Sequence, residues 1–182
     1  MLRALLITLA FASSPALASG IVISVQGQTS GEITIDLFED IAPNHVKQII
    51  TLVNEGFYNG VSFHRVIDGF MAQTGDVQYG NISGNLKRAG MGGSKLPDLI
   101  AEFSDINYDR GIVGMARSQD PNSANSQFFI MFSEGSFLNS KYTVIGKVVK
   151  GLDVLDMIKK GDGQSGSISG DPDFMENVSS FK

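Results

Sequence analysis

The 182-residue chain has no cysteine and no tryptophan, only two histidines and only five prolines. Without cysteine there is no disulfide framework, no thiolate nucleophile and no cysteine-bearing metal site, so a stable domain must rest on its core. The two histidines, His45 and His64, lack the spacing of a metal-binding pair, and no metal site is expected. No Gly-x-Ser-x-Gly turn is available to build a hydrolase triad. The glycine run Gly90-Met91-Gly92-Gly93-Ser94-Lys95 has neither the spacing nor the strand-to-helix setting of a phosphate loop. Basic residues number 14 against 19 acidic ones, a net charge of -5 without a basic stripe, which excludes nucleic acid as a partner. No cofactor is expected either. The one long apolar run stands at the N-terminus and is too short to span a bilayer comfortably.

Hydrophobic residues make up 42% of the chain and charged ones 18%, the composition of one globular domain with a sizeable core. Arg3, the apolar stretch Ala4–Ala12 and the small-x-small triplet Ala16-Leu17-Ala18 form the pattern of a secretory signal peptide. Residues 1–18 are therefore expected to be removed, leaving a single domain over 19–182. Export without disulfides points to a periplasmic location, with secretion the alternative, and to no membrane association after cleavage. Nothing in the sequence calls for an oligomer, so a monomer is expected.

The 21 glycines set between short apolar runs suggest a turn-rich β fold. Ile21–Val25 reads as a strand, and Glu32–Leu37 alternates with Ile33, Ile35 and Leu37 on one face. Pro43 opens a helix whose apolar stripe is Val46, Ile49, Ile50 and Val53, and Gly56 stops it. Further strands are expected at Val61–Val66, Phe70–Gln73, Ile112–Ala116, Gln127–Phe132 and Thr143–Val149. A second helix is expected over Gly151–Lys159, and a closing strand at Asn177–Phe181. Val77–Leu99 reads as a long functional or mobile loop, and Gly161–Asp171 as a flexible tail. The sum is mainly β: a closed eight-stranded antiparallel barrel capped by two α-helices, closure removing exposed edges.

One residue stands out. Arg65 lies in the apolar run Val61-Ser62-Phe63-His64-Arg65-Val66-Ile67, although a permanently charged, five-donor guanidinium is costly among apolar neighbours without a partner or a task. Taken alone, such an arginine is most often a structural ion-pair partner. Similarly, Phe128 and Phe129 read as core, His64 as a satisfied structural histidine, and Glu39-Asp40 as a solvated turn.

Four blocks change that reading. Phe63-His64-Arg65-Val66-Ile67-Asp68-Gly69-Phe70-Met71-Ala72-Gln73-Thr74-Gly75-Asp76 resembles the central motif of the cyclophilins, the peptidyl-prolyl cis-trans isomerases. Gly111–Ser118, Pro121–Ile130 and Phe137–Val148 resemble three further blocks of that family, in the family's order, so the likeness runs from Ile21 to Lys160. The resemblance implies Arg65 as the catalytic side chain, with Gln73 completing the pair by positioning it. It implies that Phe70, Met71, Phe129, Phe137, Leu138 and Tyr142 surround the substrate proline, while Ala116, Arg117 and Gln127 flank the bound peptide. Met71 and Gln73 share one face of their strand, and Gln127 and Phe129 one face of theirs, as this arrangement requires.

The implied function is acceleration of rotation about X-Pro peptide bonds in unfolded or exported proteins, with proline-containing polypeptides as partners. The alternative is a proline-peptide binding module or chaperone whose catalysis is incidental; the Arg65–Gln73 pair favours the enzyme, because binding alone does not need it. The sequence also departs from the family pattern. Phe137 stands where many relatives have Trp, which removes an indole donor and leads to an expectation of weak cyclosporin binding. Tyr142 stands where others have His, and Arg117 where others have Asn.

Overall fold

The structure is a computed structural model that describes residues 19–182. The signal-peptide reading falls at 1–18, outside the described residues.

Strands β1 (Gly20–Gln26) and β2 (Gly31–Leu37) form an antiparallel hairpin in which Ile21 faces Ile35 and Ile23 faces Ile33. All four isoleucines are buried, as the alternation of β2 requires. The turn needs a residue without a side chain at Gly27: its φ is +140°, and a Cβ there would lie 2.4 Å from the Asp173 carboxylate.

Helix α1 (Pro43–Asn54) begins at its proline and buries Val46, Ile49, Leu52 and Val53. Leu52 takes the place in the core that the sequence pattern gave to Ile50, which is only partly buried. No side chain at the N-cap, Ala42, serves the first turn. Glu102 does so from a distant loop, accepting from the backbone N–H groups of Asn44 and His45 and lying 2.7 Å from His45 Nδ1.

The expected strand at 61–66 is two strands, β3 (Val61–Ser62) and β4 (Arg65–Ile67), broken at Phe63-His64. Then come β5 (Met71–Thr74), β6 (Ile112–Met115), β7 (Phe128–Met131), β8 (Val144–Lys150), α2 (Leu152–Met157) and β9 (Phe174–Phe181). β9 begins earlier than Asn177 because it pairs with both β1 and β3.

The sheet corrects the expected closed, eight-stranded barrel. It has nine strands in the order β3-β9-β1-β2-β8-β6-β7-β5-β4. Its two end strands, β3 and β4, are consecutive in the chain and joined through Phe63-His64, and no ladder pairs them. The curl is thus completed by the covalent chain, while the hydrogen-bonded sheet remains open.

The segment after α2 is a second correction. Glycine and serine content suggests a flexible tail, yet residues 161–167 are tied to β4 by backbone bonds from Gly161 N to Val66 O and from Val66 N to Gly166 O. Gly166 fits there because its φ is +68° and a Cβ would meet Val66 backbone and Ile67 Cγ1.

The faces of β5 and β7 divide the interior. Ala72, Phe128 and Ile130 point into the main core with the isoleucines of β1 and β2. Met71, Phe129 and Met131 point the other way, into a smaller cluster with Tyr108, Leu138 and Val144. Phe128 is core, as its sequence context suggests, in edge-to-face contact with Tyr58 at 5.7 Å.

Candidate active site

The second face of β5 and β7 forms the floor of a cavity of about 270 Å³ lined by Arg65, Phe70, Met71, Gln73, Ala116, Arg117, Phe129, Phe137, Leu138 and Tyr142. The pairing register accounts for much of this assembly. Arg65 pairs with Gln73 across β4 and β5, Gln73 pairs with Phe129 across β5 and β7, and Gly114 pairs with Phe129 from the other side. Gly114 leaves the room that Phe129 and Tyr108 occupy, since a Cβ there would lie 2.7 Å from the Phe129 ring and 2.4 Å from the Tyr108 hydroxyl.

The floor is aromatic and rigidly packed. Phe129 stacks on Tyr108 at 5.7 Å and meets Tyr142 edge-on at 5.9 Å. Burial pushes the Tyr108 hydroxyl far above its ordinary pKa of 10, with repulsion from Tyr142 adding to it, so Tyr108 stays neutral. At the rim, Phe70 lies 5.4 Å from Phe137, which is 62% exposed and free to meet a ligand.

Arg65 is held on two sides. Its Nη1 donates to Gln73 Oε1 at 3.2 Å, and its Nε donates to the Ser165 carbonyl at 3.0 Å. The second partner comes from the segment that composition marks as a tail. A backbone carbonyl carries no residue signature, and nothing in the sequence around Ser165 announces this contact. Gln73 is fixed in turn, its Nε2 donating to Gln127 Oε1 at 2.9 Å.

Gln127 does not line the apolar cavity. It lines an adjoining cavity of about 440 Å³ that shares Gln73, Ala116 and Arg117 and continues over Gly90, Gly92 and Asn125. There Gln127 Nε2 donates to the carbonyls of Gly90 and Gly92 at 3.1 and 2.7 Å. The long 77–99 loop is therefore one wall of the site.

Arg117, the residue at the boundary of the two cavities, has its guanidinium 4.3 Å above the Tyr142 ring and donating to the carbonyls of Lys141 and Ser118. Its charge is thus fixed at the rim. His64 departs from the expectation of a satisfied histidine: neither ring nitrogen has a hydrogen-bond partner among the described residues. Burial lowers its pKa below 6.5 and so favours the neutral ring, against an opposing pull from the Asp76 carboxylate. Gly90 packs directly on it, where a Cβ would lie 2.9 Å from the imidazole.

The arrangement offers an apolar socket, a fixed guanidinium at its edge and a polar groove beside it. It has no nucleophile paired with a base, and no group of three His, Asp or Glu residues able to hold a metal occurs among the described residues.

Residues 21–179 match the family model of the cyclophilin type peptidyl-prolyl cis-trans isomerases. Over 141 residues, 76% of this chain and 72% of the relative, the sequence is 60% identical to a probable peptidyl-prolyl cis-trans isomerase of Brucella suis. It is 39% identical over 137 residues to peptidyl-prolyl cis-trans isomerase B of Escherichia coli, covering 71% of this chain and 79% of that one. Among solved structures, a cyclophilin from Hirschia baltica is similar with a TM-score of 0.72 and 27% identity, covering 88% of this chain and 73% of the other. A cyclophilin type isomerase from Cryptosporidium parvum, crystallised in the presence of the dipeptide Ala-Pro, gives a TM-score of 0.73 and 29% identity over 87% of this chain and 96% of that one.

Proposed function

The chain belongs to the cyclophilin-type peptidyl-prolyl cis-trans isomerases and is an enzyme of that class, and from this premise we propose how its own residues carry the reaction and where it acts. The observation that carries the proposal is Arg65, fixed by Gln73 and Ser165 at the edge of a cavity that Phe129, Leu138 and Tyr142 also line.

Amide resonance sets a barrier of about 18–20 kcal/mol to rotation of a peptide bond. For X-Pro bonds both isomers are populated, yet exchange takes tens to hundreds of seconds. No bond is broken, so neither a nucleophile nor a proton shuttle is required. As the amide twists it loses conjugation, and its nitrogen regains a lone pair. A guanidinium donating to that nitrogen binds the twisted state better than the planar one, which is the condition for catalysis. The socket of Phe70, Met71, Phe129, Leu138 and Tyr142 receives the proline ring and keeps out water that would favour the planar, polar amide. Ala116, Arg117 and Gln127 flank the chain on either side of the proline.

Lifting an uncatalysed rate of about 0.01 per second to a turnover of about a thousand per second asks for roughly 7 kcal/mol. One preorganised donor supplies about 3–4 kcal/mol by analogy with oxyanion donors. Orientation of the peptide and exclusion of water supply the remainder.

The substrates in this reading are proline-containing polypeptides, which the presence of Ala-Pro with the Cryptosporidium relative supports. The signal-like sequence at 1–18 supports export, and hence unfolded or newly exported clients in the periplasm. The mature protein acts as a monomer, and Phe137 in place of Trp weakens cyclosporin binding. A prolyl isomerisation assay on residues 19–182 tests the enzyme: a rate no faster than the uncatalysed one refutes it. Peptide affinity of Arg65→Ala separates catalysis from mere binding, since affinity persists while turnover collapses if Arg65 acts in the twisted state.

A further inference from the structure

Asp76 has no part in the reaction as derived above, yet it is a fully buried carboxylate just beyond β5, 0% exposed. Among the described residues it has no salt bridge. It accepts instead from four backbone N–H groups: Gln78 and Tyr79 at Oδ1, 3.0 and 2.9 Å, and Gly90 and Gly92 at Oδ2, 2.7 and 2.9 Å. A buried carboxylate is costly unless such donors satisfy it, and here they do two things at once. The first pair closes a local turn. The second pair draws in a loop 14 and 16 residues away.

That loop faces the site with its other side. With their N–H groups turned to Asp76, Gly90 and Gly92 present their carbonyls to Gln127 Nε2. Two acceptors on that nitrogen leave Gln127 Oε1 pointing at Gln73, so Gln73 must donate with its nitrogen and offer its oxygen to Arg65. Reversing either amide would set donor against donor. The chain from Asp76 to Arg65 therefore has one polarity, and it is set at the loop. The glycines are required for this shape. A Cβ on Gly92 would lie 2.5 Å from Asp76 Oδ1, and Gly90 has φ +92° and sits on the His64 ring.

We infer that Asp76 is a positioning residue for Arg65, acting through the Gly90–Gly92 loop, Gln127 and Gln73. The inference rests on the reading of Arg65 as the catalytic side chain. It is tested with Asp76→Asn in the mature protein, where one pair of N–H groups meets an NH2 in place of an oxygen. The expected result is a folded protein whose kcat/KM falls on the order of ten- to a hundred-fold, the cost of a slightly misplaced catalytic group. In a Gln127→Ala background the same substitution lowers kcat/KM by less than about two-fold, because the relay is already cut. The side-chain amide resonances of Gln73 shift in Asp76→Asn, which a purely local turn at Gln78 and Tyr79 would not cause.

Unchanged kcat/KM in folded Asp76→Asn, equal losses in the two backgrounds, or unmoved Gln73 resonances each overturn the relay. Should Asp76→Asn fail to fold, Gly92→Ala displaces the same loop by setting a Cβ against Asp76 and Gln78, and is judged by the same cycle. An inactive parent protein would defeat the reading of Arg65, whereas the Gln73 resonances test the relay whatever the activity.

Discussion

Arg65 is the residue on which most depends, and its value lies in its geometry as well as its charge. Nε and Nη1 are both committed, to Ser165 and Gln73, while other donors of the fork have no partner among the described residues, on a side chain that lines the cavity. Arg65→Ala is expected to cost about 10²–10³ in kcat/KM with the fold intact, read by an isomerisation assay beside thermal unfolding. Arg65→Lys should recover little of this loss, because a flexible ammonium cannot satisfy Gln73 and Ser165 while donating to substrate. Phe137 tests a different property. It is exposed at the rim, and the chain contains no indole. Phe137→Trp restores a donor there and should tighten cyclosporin binding about five-fold, the worth of one hydrogen bond near 1 kcal/mol. The new tryptophan's own fluorescence reports the titration.

At the scale of elements, two loops do work that composition does not announce. Residues 161–167 lie along β4 and deliver the Ser165 carbonyl to Arg65. Gly166→Ala would place a Cβ 2.5 Å from Ile67 Cγ1 at a positive φ, lifting this segment from β4. A loss of kcat/KM on the order of ten-fold is expected, with Ser165→Ala as the milder control, since the Arg65 contact uses the backbone and only the hydroxyl's bonds to Asp162 and Ser167 are lost. The loop carrying Glu102 does for α1 what a local N-cap would otherwise do. Burial of Glu102 would raise its carboxyl pKa, but the donors of His45 and Asn44 outweigh burial and hold it below 4.5. A depressed carboxyl stabilises the fold above its unfolded value and loses that contribution as pH falls through the folded one. Glu102→Gln should therefore cost about 1–2 kcal/mol at neutral pH. Its gap to the parent should shrink below pH 4.5, as thermal unfolding across pH would record.

For the whole molecule, the open nine-stranded sheet explains why the site lies where it does. β3 and β4 end the sheet on opposite sides and are linked by Phe63-His64, so the strand carrying Arg65 sits at an edge reachable by a loop and by solvent. β5 and β7, next to it, give one face to the main core and the other to the cavity floor. Among the described residues no helix is long and apolar enough to cross a membrane. Expression of the full chain in a Gram-negative host should yield a periplasmic product whose N-terminal sequence begins at Ser19, monomeric by light scattering. An uncleaved or cytoplasmic product would refute the export reading.

The sequence by itself determined the family and named most of the residues that line the cavity beside Arg65. Period-two alternation put Met71 and Gln73 on one face of their strand and Gln127 and Phe129 on one face of theirs, and the family-like blocks supplied Arg65, Leu138 and Tyr142 in order; which face meets the cavity came from the packing. Only the tertiary structure decided what holds Arg65 in place. Ser165 reaches it across 100 residues through a backbone carbonyl, an acceptor that every residue possesses and that side-chain pattern therefore cannot single out. The sheet's nine strands, its open order and the polarity of the Asp76–Gln127–Gln73 chain belong to the same class. They depend on which distant segments become neighbours, which is settled when the two cores pack together.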